Sequence, residues 1–209
     1  MELAKDAQDV ARWEAQNSDL VEYARRTAEA LVSPLQRRWR HVQAVAVRAD
    51  SIRAAVHSRE SPELDSVADK LLVASAWLHD IGYAPDLVAT GLHAADGAAY
   101  LREHELPTAL VNLVAHHSGA RFEAVERGMP HVLADYPFEE SPLSDALATA
   151  DLTTGPSGES VSYDERIDEV FTRYPANDPV HRFWLRARPV IGEAVSRTEA
   201  RLRLATQPR

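Results

Sequence analysis

A histidine followed directly by an aspartate, His79-Asp80, closes the apolar run DKLLVASAWLHD. Burying an unpartnered polar group costs about 2–7 kcal/mol, and a charge costs more, so something must compensate this doublet. Adjacent residues of a helix point about 100° apart, which lets the two side chains grip two sides of one object. Gly82 and Pro85 follow, which puts the doublet at a helix end facing a loop. Similar residues recur in similar settings. His41 lies in RRWRHVQAVAV, His93 opens HAADGAAYL, His116-His117 end ALVNLVAHH, and Asp151 lies in LATADLTTGP. Separate apolar helices thus each carry a histidine or aspartate, mostly near an end, as expected of ligands converging on one centre. With no cysteine in the chain, such a centre would use imidazole and carboxylate, a set that suits Mn, Fe, Mg or Zn.

A second signal is positive charge next to one of these histidines. Residues 25–53 carry seven arginines against Glu29 and Asp50, a local balance of +5 in a chain whose net charge is −9. On a helix, i−3, i−4 and i+7 share the face of residue i. Arg38, Arg37 and Arg48 stand at those offsets from His41. Guanidinium forks suit phosphate, and Arg38 is the foremost candidate, with Arg121 after it. A solvated, salt-bridged arginine face would explain the same run.

The elements that must position these residues read as helices nearly throughout. Expected helices cover 4–31, 34–58, 62–80, 95–104, 107–117, 121–128, 142–153, 163–174 and 179–205. Ser33-Pro34, Ser61-Pro62, Ser141-Pro142 and Asp178-Pro179 are cap-then-proline starts, and Ser162 with Glu165 forms a capping box. Pro189 is expected to kink or split the last helix. Loops fall at 82–92, 129–141 and 154–161, and no alternating strand pattern or internal repeat is present. One all-α domain over 1–209 accounts for the pattern.

Composition narrows the classes further. The chain is 45% hydrophobic and 26% charged, an ordinary globular balance, and its apolar runs are too short to span a bilayer. The acidic net charge argues against non-specific nucleic-acid binding, and a polar N-terminus without an apolar signal core makes a cytoplasmic location the expectation. A homodimer is a further possibility for the terminal helices.

The order His41 … His79-Asp80 … Asp151 resembles the HD superfamily of metal-dependent phosphohydrolases, and HDIGY resembles the HDIG variant of its central motif. The resemblance covers 34–155, which implies an HD-domain helical bundle with peripheral helices at 1–33 and 156–209. It implies that His41, His79, Asp80 and Asp151 bind one metal, and that His93 and His116, or else His117, complete a second site bridged by Asp80. His117 is otherwise read as a satisfied helix-end residue. One or two divalent ions (Mn, Fe, Mg, Co or Zn) would activate water against a small phosphorylated substrate, a nucleotide or related ester. Asp80, His79 and Arg38 would be the catalytic set. Two metals about 3.5–4 Å apart clamp a phosphoryl group and need no Ser or Cys nucleophile. Two other readings share the fold, a mixed-valent diiron oxygenase and a non-catalytic metal-binding sensor. The chain departs from the HD-GYP phosphodiesterases, with Tyr83 in place of their lysine and HHSGARFEA lacking their Gly-Tyr-Pro signature, so cyclic-di-GMP is not the expected substrate.

The remaining candidates read as structural. His57, His104, His131 and His181 are expected at the surface, Trp39 and Trp77 in the core, and Asp96 as a cap.

Overall fold

The apolar run ahead of the doublet becomes a helix walled in on several sides. The computed structural model describes residues 3–58 and 61–206. Its helices are α1 (Leu3–Glu14), α2 (Leu20–Val32), α3 (Arg37–Ser51), α4 (Pro62–Leu78), α5 (His93–Glu103), α6 (Thr108–His116), α7 (Ala120–Glu126), α8 (Pro142–Leu152), α9 (Tyr163–Arg173) and α10 (Pro179–Ala205). Short 3-10 turns link several of them, and a bridge between Thr154 and Ser160 is the only β pairing among the described residues. The fold is all-α. No helix among the described residues is long and apolar enough to cross a membrane.

α4 is the axis. Leu71, Leu72, Ala74 and Leu78 are fully buried, and α1, α2, α3, α6 and α8 all pack on it. Fully burying each such leucine stabilises the fold by about 1.5–3 kcal/mol. A helix covered on all sides shows no single apolar stripe, which is why this run reads as continuous apolar sequence. A second, smaller core lies on the outer side of α8, where Leu152 meets Ile167 and Val170 of α9 and Phe183, Trp184 and Ala187 of α10.

An ion cluster fixes α10 to α8. The Asp145 carboxylate accepts from Arg197 Nε (2.8 Å) and Nη2 (2.6 Å) and from Arg201 Nη1 (2.8 Å). Its side chain is almost fully buried, so two guanidiniums offset the cost of hiding that charge.

Local differences from the sequence reading have physical causes. The expected helix 4–31 is two helices, because Asp19 caps a new start by accepting from Val21 N and Glu22 N, both 3.1 Å. Ser33-Pro34 does not start α3. It forms a 3-10 turn, and α3 begins after Gln36, which sits at φ 41°. Pro189 does not split α10. The proline lies on the exposed face, one turn from Leu185, which is 61% exposed, so water can satisfy the carbonyl left without its N–H partner.

Candidate metal centre

Three helix ends and two helix faces deliver six side chains to one buried spot. α3 contributes His41, which is 2% exposed. Its Nδ1 lies 2.9 Å from the carbonyl of Gly155, and a carbonyl can only accept, so Nδ1 carries the proton. Nε2 is thereby the nitrogen that faces the site, 2.9 Å from Asp151 Oδ1 on α8. His79, at the end of α4, repeats the arrangement with Nδ1 2.7 Å from the carbonyl of Ala76. Its Nε2 is buried with no hydrogen-bond partner, 3.4 Å from Asp80 Oδ2 and 3.8 Å from Asp151 Oδ1.

Asp80 faces both ways. Oδ2 points toward His79 and His41 (3.9 Å), while Oδ1 points toward His93 (3.5 Å) and His117 (3.8 Å). His93 opens α5, and its position depends on Gly82. A Cβ at residue 82 would stand 1.9 Å from the His93 carbonyl oxygen and 2.7 Å from Gly97 N, so only glycine lets the Ile81–Tyr83 turn lie against the first turn of α5. Asp96 supports the same corner. Its carboxylate accepts from Thr90 N and Thr90 Oγ1, both 2.8 Å, and from Gly91 N at 3.1 Å, holding the loop that leads into His93.

The double histidine is divided between two environments. α6 stops at His116, and His117 leaves it at ψ 150°. Ser118 (φ 47°) and Gly119 (φ 84°) then reverse the chain. That reversal turns His117 inward. Its Nδ1 donates to the carbonyl of Val114 (2.7 Å), and its Nε2 stands 3.1 Å from His93 Nε2. His116, named in the sequence reading as a ligand, does not join the cluster. Its Nε2 bonds the carbonyl of Tyr136 (2.6 Å), its ring packs edge-on against Phe138, and it borders a separate cavity beside α1. A helix-end doublet does not reveal which imidazole turns in; the left-handed Ser118 decides it.

Ser118, which the sequence reading passed over, donates its hydroxyl to Asp151 Oδ2. Nothing in HHSG marks that serine. Arg38 Nη1 donates to Asp80 Oδ2 at 2.7 Å and lies 3.9 Å over the Tyr83 ring, which stacks on His93 at 4.1 Å and 18°. Arg38, Tyr83 and His93 therefore form one stack at the mouth of the site. Arg48 turns away to Thr153 Oγ1 (3.2 Å), and Arg121 lies over Phe138, outside the cleft. Glu126 is taken by Arg182 and Arg186 on the far side of α7.

Electrostatics follow from this crowding. Burial would raise the pKa values of Asp80 and Asp151, but neighbouring imidazoles, and Arg38 for Asp80, hold both carboxyls well below their usual range. Burial would depress His41 and His79, but Asp151 and Asp80 outweigh it and raise both. His93 goes the other way, pushed down to about 3 by burial and by His117. The site thus presents ionised carboxylates surrounded by inward-facing imidazoles, and positive charge, carried by protons or by a cation, must stand among them.

Two donor groups result, His41 with His79 and Asp151, and Asp80 with His93 and His117. Each could hold a metal ion. The orphaned Nε2 of His79 and the thiolate-free donor set fit a hard divalent cation. Anchoring of the non-ligating ring nitrogen on a carbonyl is the usual way proteins orient metal-binding histidines.

No curated protein and no solved structure matches the chain. The family profile of the HD domain matches residues 38–152, more than half of the chain, from Arg38 at the mouth of the site to the end of α8. With the His-Asp doublet ending the central helix of that stretch, the protein belongs to the HD domain family.

Proposed function

We propose that the protein is a metal-dependent phosphohydrolase acting on a small phosphorylated molecule, a nucleotide or related ester. One observation carries the reading. Three imidazoles are locked by backbone carbonyls so that their Nε2 atoms meet two ionised carboxylates in a buried pocket. Divalent ions bound there would supply Lewis acidity toward a phosphoryl group and lower the pKa of a water molecule.

The chain's own groups supply the rest. Asp80 offers one oxygen to each donor group, so it sets their spacing. Ser118 holds the Asp151 carboxylate in its rotamer. The site opens into a cleft of about 730 Å³, a size that suits a nucleotide-sized ligand. Arg38 lines that cleft, and its only hydrogen bond among the described residues is to Asp80, leaving further N–H groups for phosphate oxygens. Four more arginines, at 37, 127, 166 and 173, line the same cleft, which favours an anionic ester over a neutral substrate for oxidation.

Metal analysis of the purified protein, joined to a screen of nucleotides and generic phosphate esters with Mn, Fe, Mg, Co and Zn, tests the reading. Bound metal with ester hydrolysis is the expected result. Bound metal with no hydrolysis across the screen would leave a binding domain, and a spectral change of the iron form on exposure to dioxygen would point to an oxygenase.

A further inference from the structure

The cleft continues past the His-Asp cluster to a wall built by α9 and α10, which lie outside residues 38–152 matched by the HD domain profile. Part of that wall is apolar, with Val170, Phe183 and Trp184 lining the space. That wall is charged. Arg166 and Arg173 of α9 line it, and Arg37 at the start of α3 lines the cleft near enough to Arg166 that both act on Glu159.

The partners of these guanidiniums stand behind them. Arg166 Nη1 and Arg173 Nε share a single carboxylate, Glu169, which does not line the cleft. Glu159, close enough to feel both Arg37 and Arg166, does not line it either. Arg37 makes no ion pair with another described residue, and of the two non-cluster carboxylates in the lining, Glu123 is paired with Arg127 and Asp178 caps α10 through Val180 N. The side chain of Arg166 is only 11% exposed, and its Nε is buried with no hydrogen-bond partner. Two guanidiniums thus share one carboxylate and a third has none among the described residues, so the wall carries more positive charge than its partners neutralise, and an anion in the cleft would balance it.

We propose that Arg166, with Arg37 near it, forms an anion subsite on the α9 wall of the cleft, the far subsite, and that the substrate is a doubly anionic organic phosphate. One phosphate would lie at the His-Asp cluster, a planar or apolar body along Phe183 and Trp184, and a second phosphate or carboxylate at Arg166. The assignment of the near end rests on the phosphohydrolase reading. The far subsite does not.

Inorganic phosphate titrated into the full-length, metal-free protein, followed by the NMR signal of the Arg166 Nε–H and by calorimetry, tests the far subsite by itself. The expected result is one bound phosphate that shifts that signal, with affinity reduced about tenfold in Arg166→Gln, the size expected for losing a charge-assisted hydrogen bond. Arg37→Gln, at an exposed position, should weaken binding in the same direction and decides the matter if Arg166→Gln does not fold. Adding Mg or Zn should bring in a second phosphate at the His-Asp end. Failure of that second equivalent alone would count against the phosphohydrolase reading and leave the far subsite standing. No phosphate bound without metal, or binding that neither variant changes, would overturn the far subsite whatever the hydrolysis screen shows.

Discussion

The two donor groups of the site are built differently. His41, His79 and Asp151 sit on or at the ends of long buried helices, α3, α4 and α8, which pack directly on one another. Asp80, His93 and His117 sit on turns, one after α4, one at the mouth of α5 and one past α6, held by Gly82, by Asp96 and by the left-handed Ser118-Gly119 pair. A helix face inherits its rigidity from the core, whereas a turn needs its own supports. The first group should therefore tolerate local change that the second does not.

Asp80→Ala removes the residue that both groups share. Metal content measured by mass spectrometry should fall to near zero, and ester hydrolysis should fall by at least about a thousandfold, the scale of losing a shared activating ligand. Full activity in that variant would erase the distinction between the groups along with the site itself.

His117→Ala should empty only the turn-built group, leaving one ion per chain with hydrolysis reduced about a hundredfold. His116→Ala should retain both ions and cost only folding stability, about 1–2 kcal/mol by urea unfolding, since its bond is to the Tyr136 carbonyl. The reverse ranking would mean that the reversal at Ser118 has been assigned to the wrong imidazole.

Gly82→Ala sharpens the comparison without touching a ligand. The added methyl must push the turn away from the His93 carbonyl, so urea unfolding should show a loss of about 1–3 kcal/mol, with the second ion bound more weakly than the first. Equal loss of both ions would show that the turn supports α4 as a whole.

The smallest effect is expected from Arg38→Ala. Metal content should be unchanged, and the Michaelis constant for a phosphate ester should rise about tenfold, the scale of one charge-assisted hydrogen bond. Loss of metal in this variant would show that the Arg38–Asp80 contact orients the shared carboxylate.

Much of this was readable from residues in order. The covered central helix, the caps at Ser61, Ser141, Ser162 and Asp178, and the placement of His41 on a helix and of His79, Asp80, His93 and Asp151 near helix ends follow from local rules of periodicity, capping and turn chemistry. Those rules act over a few residues, so a linear reading captures them. They also faltered locally, at Asp19, whose cap starts a new helix, and at Ser33-Pro34, which forms a 3-10 turn.

What the linear order determined by itself was the chemistry available, imidazoles and carboxylates without thiols on an all-helical frame, with the His-Asp doublet at the end of the run that becomes the core. Only the tertiary structure decided that His117 and not His116 turns inward, that Ser118 meets Asp151, that Arg48 and Arg121 leave the cleft while Arg38 stays, and that α9 brings Arg166 to the far wall. The reason is physical. A side chain's direction at a helix end depends on the backbone angles of the residues just beyond it, and contacts between elements more than a hundred residues apart depend on how whole helices pack.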